Sequence, residues 1–333
     1  MNQAQGEIYD LGYQHYDGPR GGRSQAFQSL WVNSFRTTLG LGRGARAKIL
    51  PALMTLFVIA PPTVFLVISA VVRIGQQASH ADFYEGLAIL LLLFSAIMAP
   101  ELLIPDRRNS VTTLYLVRPL TAFDYVLARW SAFLTIVLAV TLLSQVIVLA
   151  ANLLLAPAPG EFLRENWLDI PRFILAGAII AVFVTTIPMA VSAFTERRAY
   201  AAAFVIALFV ITTPMSGLLT FEDCSPVRPL DASNSAVVEE EPLAVRTGPR
   251  RGGEAAFSVE CRRFTGEYAK WFVLLDVGRA PTHLGDLIFD DDESDDFAQL
   301  AAELPLAVPI AWYGLLVVGP GAALLWRYWS IKI

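Results

Sequence analysis

The chain has 333 residues, 55% of them apolar and 17% charged, with a mean hydropathy of +0.52. Soluble domains carry roughly 25% charged residues, so this composition excludes an ordinary soluble fold and points to a membrane protein. The formal net charge of −5 says little, because the acids gather in one late stretch. No nucleic-acid partner is expected.

The first 48 residues are polar. They lack the short apolar core of a cleavable signal peptide, so the first apolar run is expected to act as the insertion signal. The segment IYDLGYQHYDGPRGGR combines Tyr9, Tyr13 and Tyr16 with Gly12, Gly18, Gly21 and Gly22 and reads as an extended, turn-rich arm. It is not a phosphate-binding GxxxxGK[ST] loop, and none occurs anywhere in the chain. In residues 24–39, SQAFQSLWVNSFRTTL, Phe27, Leu30, Trp31, Phe35 and Leu39 fall on one helical face, with Ser24 as the expected N-cap. Arg36, Arg43, Arg46 and Lys48 flank this helix. The pattern predicts an amphipathic helix in the membrane interface, either an anchor or a lever that also touches a cytoplasmic partner.

A spanning helix needs about 20 apolar residues. Six runs qualify: Lys48 to Arg73, Glu85 to Asp106, Trp130 to about Pro157, Arg172 to Glu196, Arg198 to Glu222, and Glu303 to Arg327. Pro61 and Pro62 interrupt the first, and Glu101 is the only charge within any of them. Glu101 lies near one end of its span, where pairing with a nearby arginine is the plain reading. The predicted class is therefore an all-α integral membrane protein with six spans, an N-terminal interfacial helix and a large segment before the last span.

Lys and Arg near span ends set orientation. Arg20, Arg23, Arg36, Arg43, Arg46, Lys48, Arg107, Arg108, Arg118, Arg129, Arg197, Arg198, Arg327 and Lys332 all fall on one side. The short loops opposite hold only Arg73, Arg164 and Arg172. Both termini are expected in the cytoplasm and residues 222–303 outside, in a multi-pass protein of the cell membrane. The division is a cytoplasmic arm and helix over 1–48, five spans over 49–221, an external segment over 222–303, a sixth span over 304–326, and a cytoplasmic tail over 327–333.

The loop from 105 to 129 is longer than a connection needs. Pro105 is expected to separate it from the second span. Residues 107–117 can form a short helix with Val111, Leu114 and Tyr115 on one side, broken at Arg118-Pro119. Thr121 and Asp124 then form a capping box, with Asp in place of Glu, that starts the third span. The bland reading is a solvated basic loop; the sharper one is a rigid docking element for a cytoplasmic protein.

The run Ala99-Pro100-Glu101-Leu102-Leu103-Ile104-Pro105-Asp106-Arg107, followed by Leu114-Tyr115-Leu116-Val117-Arg118-Pro119-Leu120-Thr121-Ala122-Phe123-Asp124-Tyr125-Val126-Leu127, resembles the permease subunits of type-2 ABC exporters. The start YDLGYQHYDGPRGGR is similar to that of bacterial members, and the span layout also matches. Two features depart: Ala128-Arg129 stands where relatives often have Gly-Lys, and the outer loop is enlarged by residues 222–265. The resemblance implies a dimer of permeases above a pair of separate ATPases that hold the ATP and magnesium. It implies that the loop after the second span is a coupling helix and the N-terminal helix a connecting helix. On that basis Arg107, Arg108, Val111, Leu114, Tyr115, Arg118 and Pro119 would meet the ATPase, with Glu196, Arg197 and Arg198 as a second contact.

Within the outer segment, residues 222–265 lack periodicity and are expected to be poorly ordered. Residues 268–289 hold two short apolar stretches broken by Gly278 and Pro281 and read as interfacial or re-entrant helices. Cys224 and Cys261 both fall outside, where a disulfide can persist. The run from Asp290 to Asp296 lacks the spaced ligands of a calcium loop and reads as a solvated acidic patch. His15, His80 and His283 are all placed in loops, so neither a metal site nor a membrane-embedded enzyme is expected. The cargo implied by the apolar spans is apolar or amphipathic, although Thr185, Thr186, Thr212 and Thr213 equally suit helix packing. The rival reading is a non-transporting membrane scaffold or sensor that anchors an ATPase.

Overall fold

A computed structural model of the chain describes residues 21–42, 44–72, 79–111, 120–227, 258–263, 268–289 and 296–330. Six of its helices are long and apolar enough to cross a membrane. They are α2 (Ala45–Val72), α3 (His80–Arg108), α4 (Ala122–Leu155), α6 (Asp169–Phe194), α7 (Arg198–Thr220) and α11 (Ala307–Trp329). Before them lies α1 (Arg23–Thr38), and between α4 and α6 lies the short α5 (Pro159–Glu165). Before α11 come α8 (Ala269–Phe272), α9 (Ala280–Phe289) and α10 (Asp296–Ala302). The core is built by α3, α4 and α6, where Leu91, Ala99, Leu103, Phe133, Val137, Ile180 and Met189 are fully enclosed.

Three polar side chains bond from helix to helix, as an apolar surrounding favours. Tyr84 Oη donates to the Phe173 carbonyl at 2.5 Å, Trp130 Nε1 to Thr186 Oγ1 at 3.0 Å, and Tyr313 Oη to the Ile179 carbonyl at 2.9 Å. At Gly177 α6 leaves room for the Tyr84 hydroxyl of α3: a Cβ there would sit 2.7 Å from Tyr84 Oη.

The helix α1 packs its Phe27, Leu30, Trp31, Phe35 and Leu39 face against the core cluster, as the spacing predicts. Its start differs from expectation. The N-cap is Gly22, not Ser24, and no side chain caps the first turn. It stops in a Schellman turn: Leu41 N–H donates to the Arg36 carbonyl and Gly40 N–H to that of Thr37. Gly40 takes φ +67°, which a side chain disfavours.

Pro105 does not separate the loop from the second span. The helix α3 runs through Pro100 and Pro105 to Arg108. A proline removes one backbone donor, and the spans tolerate that loss when neighbours hold the helix straight. The turn closes instead at Asn109, and Ser110 has φ +54°. Residues 112–119, which include Leu114, Tyr115, Arg118 and Pro119, lie outside the described residues.

Three expectations meet the structure at the far end. First, Phe221–Val227 (β1) and Ser258–Arg263 (β2) pair as an antiparallel ladder inside the stretch expected to be poorly ordered. In β2 apolar Val259 and Cys261 alternate with polar Ser258, Glu260 and Arg262, a period-2 signal too brief to stand out beside β1, which carries none. The register sets Cys224 directly opposite Cys261. Second, the expected break at Gly278 and Pro281 falls between the helical stretch 269–275 and α9, and Pro281 occupies the first turn of α9, where its missing N–H is no loss. Third, His80 is not a loop residue. It opens α3, is 7% exposed, bonds Gln145 Oε1 through Nδ1 at 2.7 Å, and stacks with Phe173 and Phe289. His283 lies within α9. Of the acidic run, 290–295 lies outside the described residues.

Segment α8–α9 is fastened to the spans. Asp276, with a fully enclosed side chain, accepts from Thr213 Oγ1 and Gly278 N–H, each at 3.0 Å. Ser216 Oγ donates to the Phe272 carbonyl at 2.8 Å, and Arg279 pairs with Glu85 of α3 at 2.8 Å.

Candidate functional site

The basic end of the bundle gathers most of the ionisable groups singled out by sequence. The capping box forms there: Thr121 Oγ1 accepts from Asp124 N–H, and Asp124 Oδ2 accepts from Thr121 N–H at 2.9 Å. The box gives α4 a fixed start. The same carboxylate takes Arg23 of α1 in a two-point contact, Nε to Oδ2 and Nη2 to Oδ1, both 2.8 Å. A bidentate guanidinium–carboxylate pair fixes orientation as well as distance. Thus the first turn of α1 is tied to the first turn of α4.

Two turns further along α4, Arg129 is 2% exposed. Its guanidinium pairs with Asp106 at the end of α3 and donates to Ser34 Oγ of α1 at 3.1 Å. Tyr125 Oη donates to the same Asp106 carboxylate at 2.7 Å, and its ring packs on Tyr328 of α11. Asp106 therefore joins the end of the second span to two turns of the third. A buried cation persists only when paired and hydrogen-bonded, and Arg129 has both kinds of partner.

Arg107 takes a different role from surface docking. Its Nη2 donates to the Ser192 carbonyl at 3.1 Å, and the guanidinium also reaches the carbonyls of Ala193 and Thr195. These are carbonyls that the end of α6 leaves without helical partners. A cation there also favours the negative end of the helix dipole. Arg198, at the start of α7, pairs with Glu101 of α3. The turn between α6 and α7 is thereby held against the end of α3 by two arginines.

Of the residues expected to meet a partner, Arg107 and Arg198 are engaged inside the chain. Arg108, Glu196 and Arg197 are exposed, and Val111 is half-buried. The Arg197 guanidinium lies over the Tyr200 ring at 5.5 Å. The threonines in question all make internal bonds: Thr185 and Thr186 to backbone carbonyls of α6, Thr212 to that of Phe209, and Thr213 to Asp276.

Sequence reasoning missed Arg23, Ser34, Asp106, Tyr125 and Arg129 as a unit. A signal was present for Arg129. Begun at the Thr121 box, the third span contains an arginine, and an ionisable residue inside a span marks a functional group with a partner. Ending each span at the nearest charge hid it in the loop.

No group of three or more His, Cys, Asp or Glu able to hold a metal occurs among the described residues. No family model matches the chain, and no curated protein is significantly similar to it.

Proposed function

We propose that this chain is the membrane-spanning permease subunit of an ATP-driven transporter of the type-2 ABC exporter kind. In this reading it works as a dimer with a second permease, its termini lie in the cytoplasm, and a separate ATPase binds ATP and magnesium beneath it. It exports an apolar or amphipathic substrate.

The observation that carries the reading is the linkage at the basic end. Asp106, Asp124 and Glu101 each hold an arginine from a different helix or turn. Together with Arg107 they join α1, the end of α3, the start of α4 and the α6–α7 turn. A push on the loop after α3 reaches α4 through the Thr121 cap and α1 through Arg23. Rigid-body movement of packed helices needs this kind of tie. The exposed Arg108, Glu196 and Arg197 leave charged groups at the end of α3 and in the α6–α7 turn available to a partner. A scaffold that anchors an ATPase needs the surface but not the ties into the spans.

The test is purification from native membranes in mild detergent. A co-purifying subunit with a GxxxxGK[ST] loop and ATPase activity is expected. Co-reconstitution in vesicles should then give ATP-dependent movement of an amphipathic dye. ATPase binding without any ATP-dependent movement of amphiphiles favours the scaffold instead.

A further inference from the structure

A groove of about 320 Å³ opens between α2, α3 and α4, toward the end opposite the basic face. Its apolar walls come from Pro61 and Pro62, from Phe83, Leu87 and Leu90, and from Val148. Phe83, Leu87 and Leu90 are spaced i, i+4, i+7, so they form one strip that runs down α3. From Asp82 to Leu90 the groove follows the span for about 12 Å. Gln145 of α4 lines the same groove and is fully enclosed. His80 Nδ1 donates to Gln145 Oε1 at 2.7 Å, but Gln145 Nε2 is buried and has no hydrogen-bond partner among the described residues. Ser144, the other neutral polar side chain of the lining, gives its hydroxyl proton to the Val140 carbonyl at 3.0 Å. An amide nitrogen only donates, so this is an apolar slot with one buried donor in want of an acceptor.

We propose that this groove holds one acyl chain of a glycerolipid, with the ester carbonyl of that chain accepting from Gln145 Nε2. The depth fits. Asp82 and Glu85 are exposed in the first two turns of α3, and Glu85 pairs there with Arg279, so this end of the span meets the headgroup layer. Ester carbonyls lie just beneath that layer, and the chains below them run along the spans as the strip from Phe83 to Leu90 does. The charge fits as well. The lining carries no lysine or arginine, and its one ionisable member, Asp82, is exposed at the mouth. Nothing in the groove therefore attracts an anion, and a donor such as Nε2 gives an ammonium no partner. An uncharged oxygen on a hydrocarbon chain answers both the apolar walls and the buried donor, which is costly to leave unpaired. This inference does not depend on the transport reading.

Native mass spectrometry of the delipidated full chain tests it, with diacyl and dialkyl-ether phosphatidylglycerols of the same chain length. The two differ only in the carbonyl oxygens. One diacyl lipid should be retained about tenfold better than the diether, the scale of one hydrogen bond to a buried donor. The same ratio should appear between diacyl and diether phosphatidylcholine, because the groove selects the linkage and not the headgroup. Gln145→Leu should abolish the preference. That variant also breaks the His80 bond, so Gly86→Leu supplies a second arm. Gly86 lines the groove, and a Cβ there meets no atom within 4 Å. Gly86→Leu should thus fill the groove and abolish the preference while keeping at least the wild-type melting temperature in lipid-free detergent. Equal retention of diacyl and diether lipids by the wild type would overturn the proposal and leave water as the partner of Gln145. A preference that survives Gln145→Leu or Gly86→Leu, or one that follows the headgroup, would overturn it too.

Discussion

Arg129 is a buried cation, at 2% exposure and with Asp106 as its ion-pair partner. Removing one member of a buried pair leaves an uncompensated charge and costs about 3–5 kcal/mol, whereas replacing both by apolar groups is often neutral. Asp106→Ala should therefore lower the melting temperature sharply, and Asp106→Leu with Arg129→Met should recover most of it. A double variant as unstable as Asp106→Ala would show that the pair does more than neutralise itself. Arg107 supplies a second case. Its planar fork reaches three carbonyls at the end of α6, so Arg107→Lys, which keeps the charge but loses the fork, should fall between the wild type and Arg107→Met in thermal unfolding. At this scale the sequence was least legible. Charge and position marked Arg107 and Arg198 as surface groups, but a guanidinium on a long stem folds back wherever carbonyls are left unpaired, and no local pattern announces that.

Among elements, the spans were readable because about 20 apolar residues in succession have few other uses. Their ends were not. The third begins at a cap eight residues before the last arginine of its loop, and the second continues through Pro105. Caps are locally encoded, so Thr121 and Asp124 could be read from spacing alone; tolerance of a proline depends on neighbours and could not. Thr121→Ala should cost about 1 kcal/mol and loosen only the first turn of α4. Asp124→Ala removes the Arg23 tie as well, so hydrogen exchange should quicken along α1 too. Exchange in α1 unchanged by Asp124→Ala would mean that packing alone holds the helix. The β1–β2 ladder adds a further expectation. With Cys224 and Cys261 opposite each other, unreduced protein should show no alkylatable thiol under denaturing conditions. Two free thiols would place the ladder on the reducing side or leave it unbridged.

For the whole molecule, the proposed transport role requires that the basic end of the six-helix bundle receive force from another protein. Orientation is its first requirement: a cysteine introduced at Ser233 should react with an impermeant reagent from outside the cell, and one at Ser110 should not. The most direct measurement concerns the face itself. Variants Leu114→Ala with Tyr115→Ala, and Arg108→Glu with Arg197→Glu, change the residues proposed to dock and leave Asp106, Asp124 and Arg129 in place. Truncating anchors of this kind often costs a complex about 2 kcal/mol or more. Each variant should reach the membrane and melt like the wild type, yet co-purify poorly with the ATPase subunit and fail to stimulate its turnover in nanodiscs. Full ATPase binding and undiminished stimulation in both variants would contradict the account, and the loop after the second span would be an ordinary basic loop.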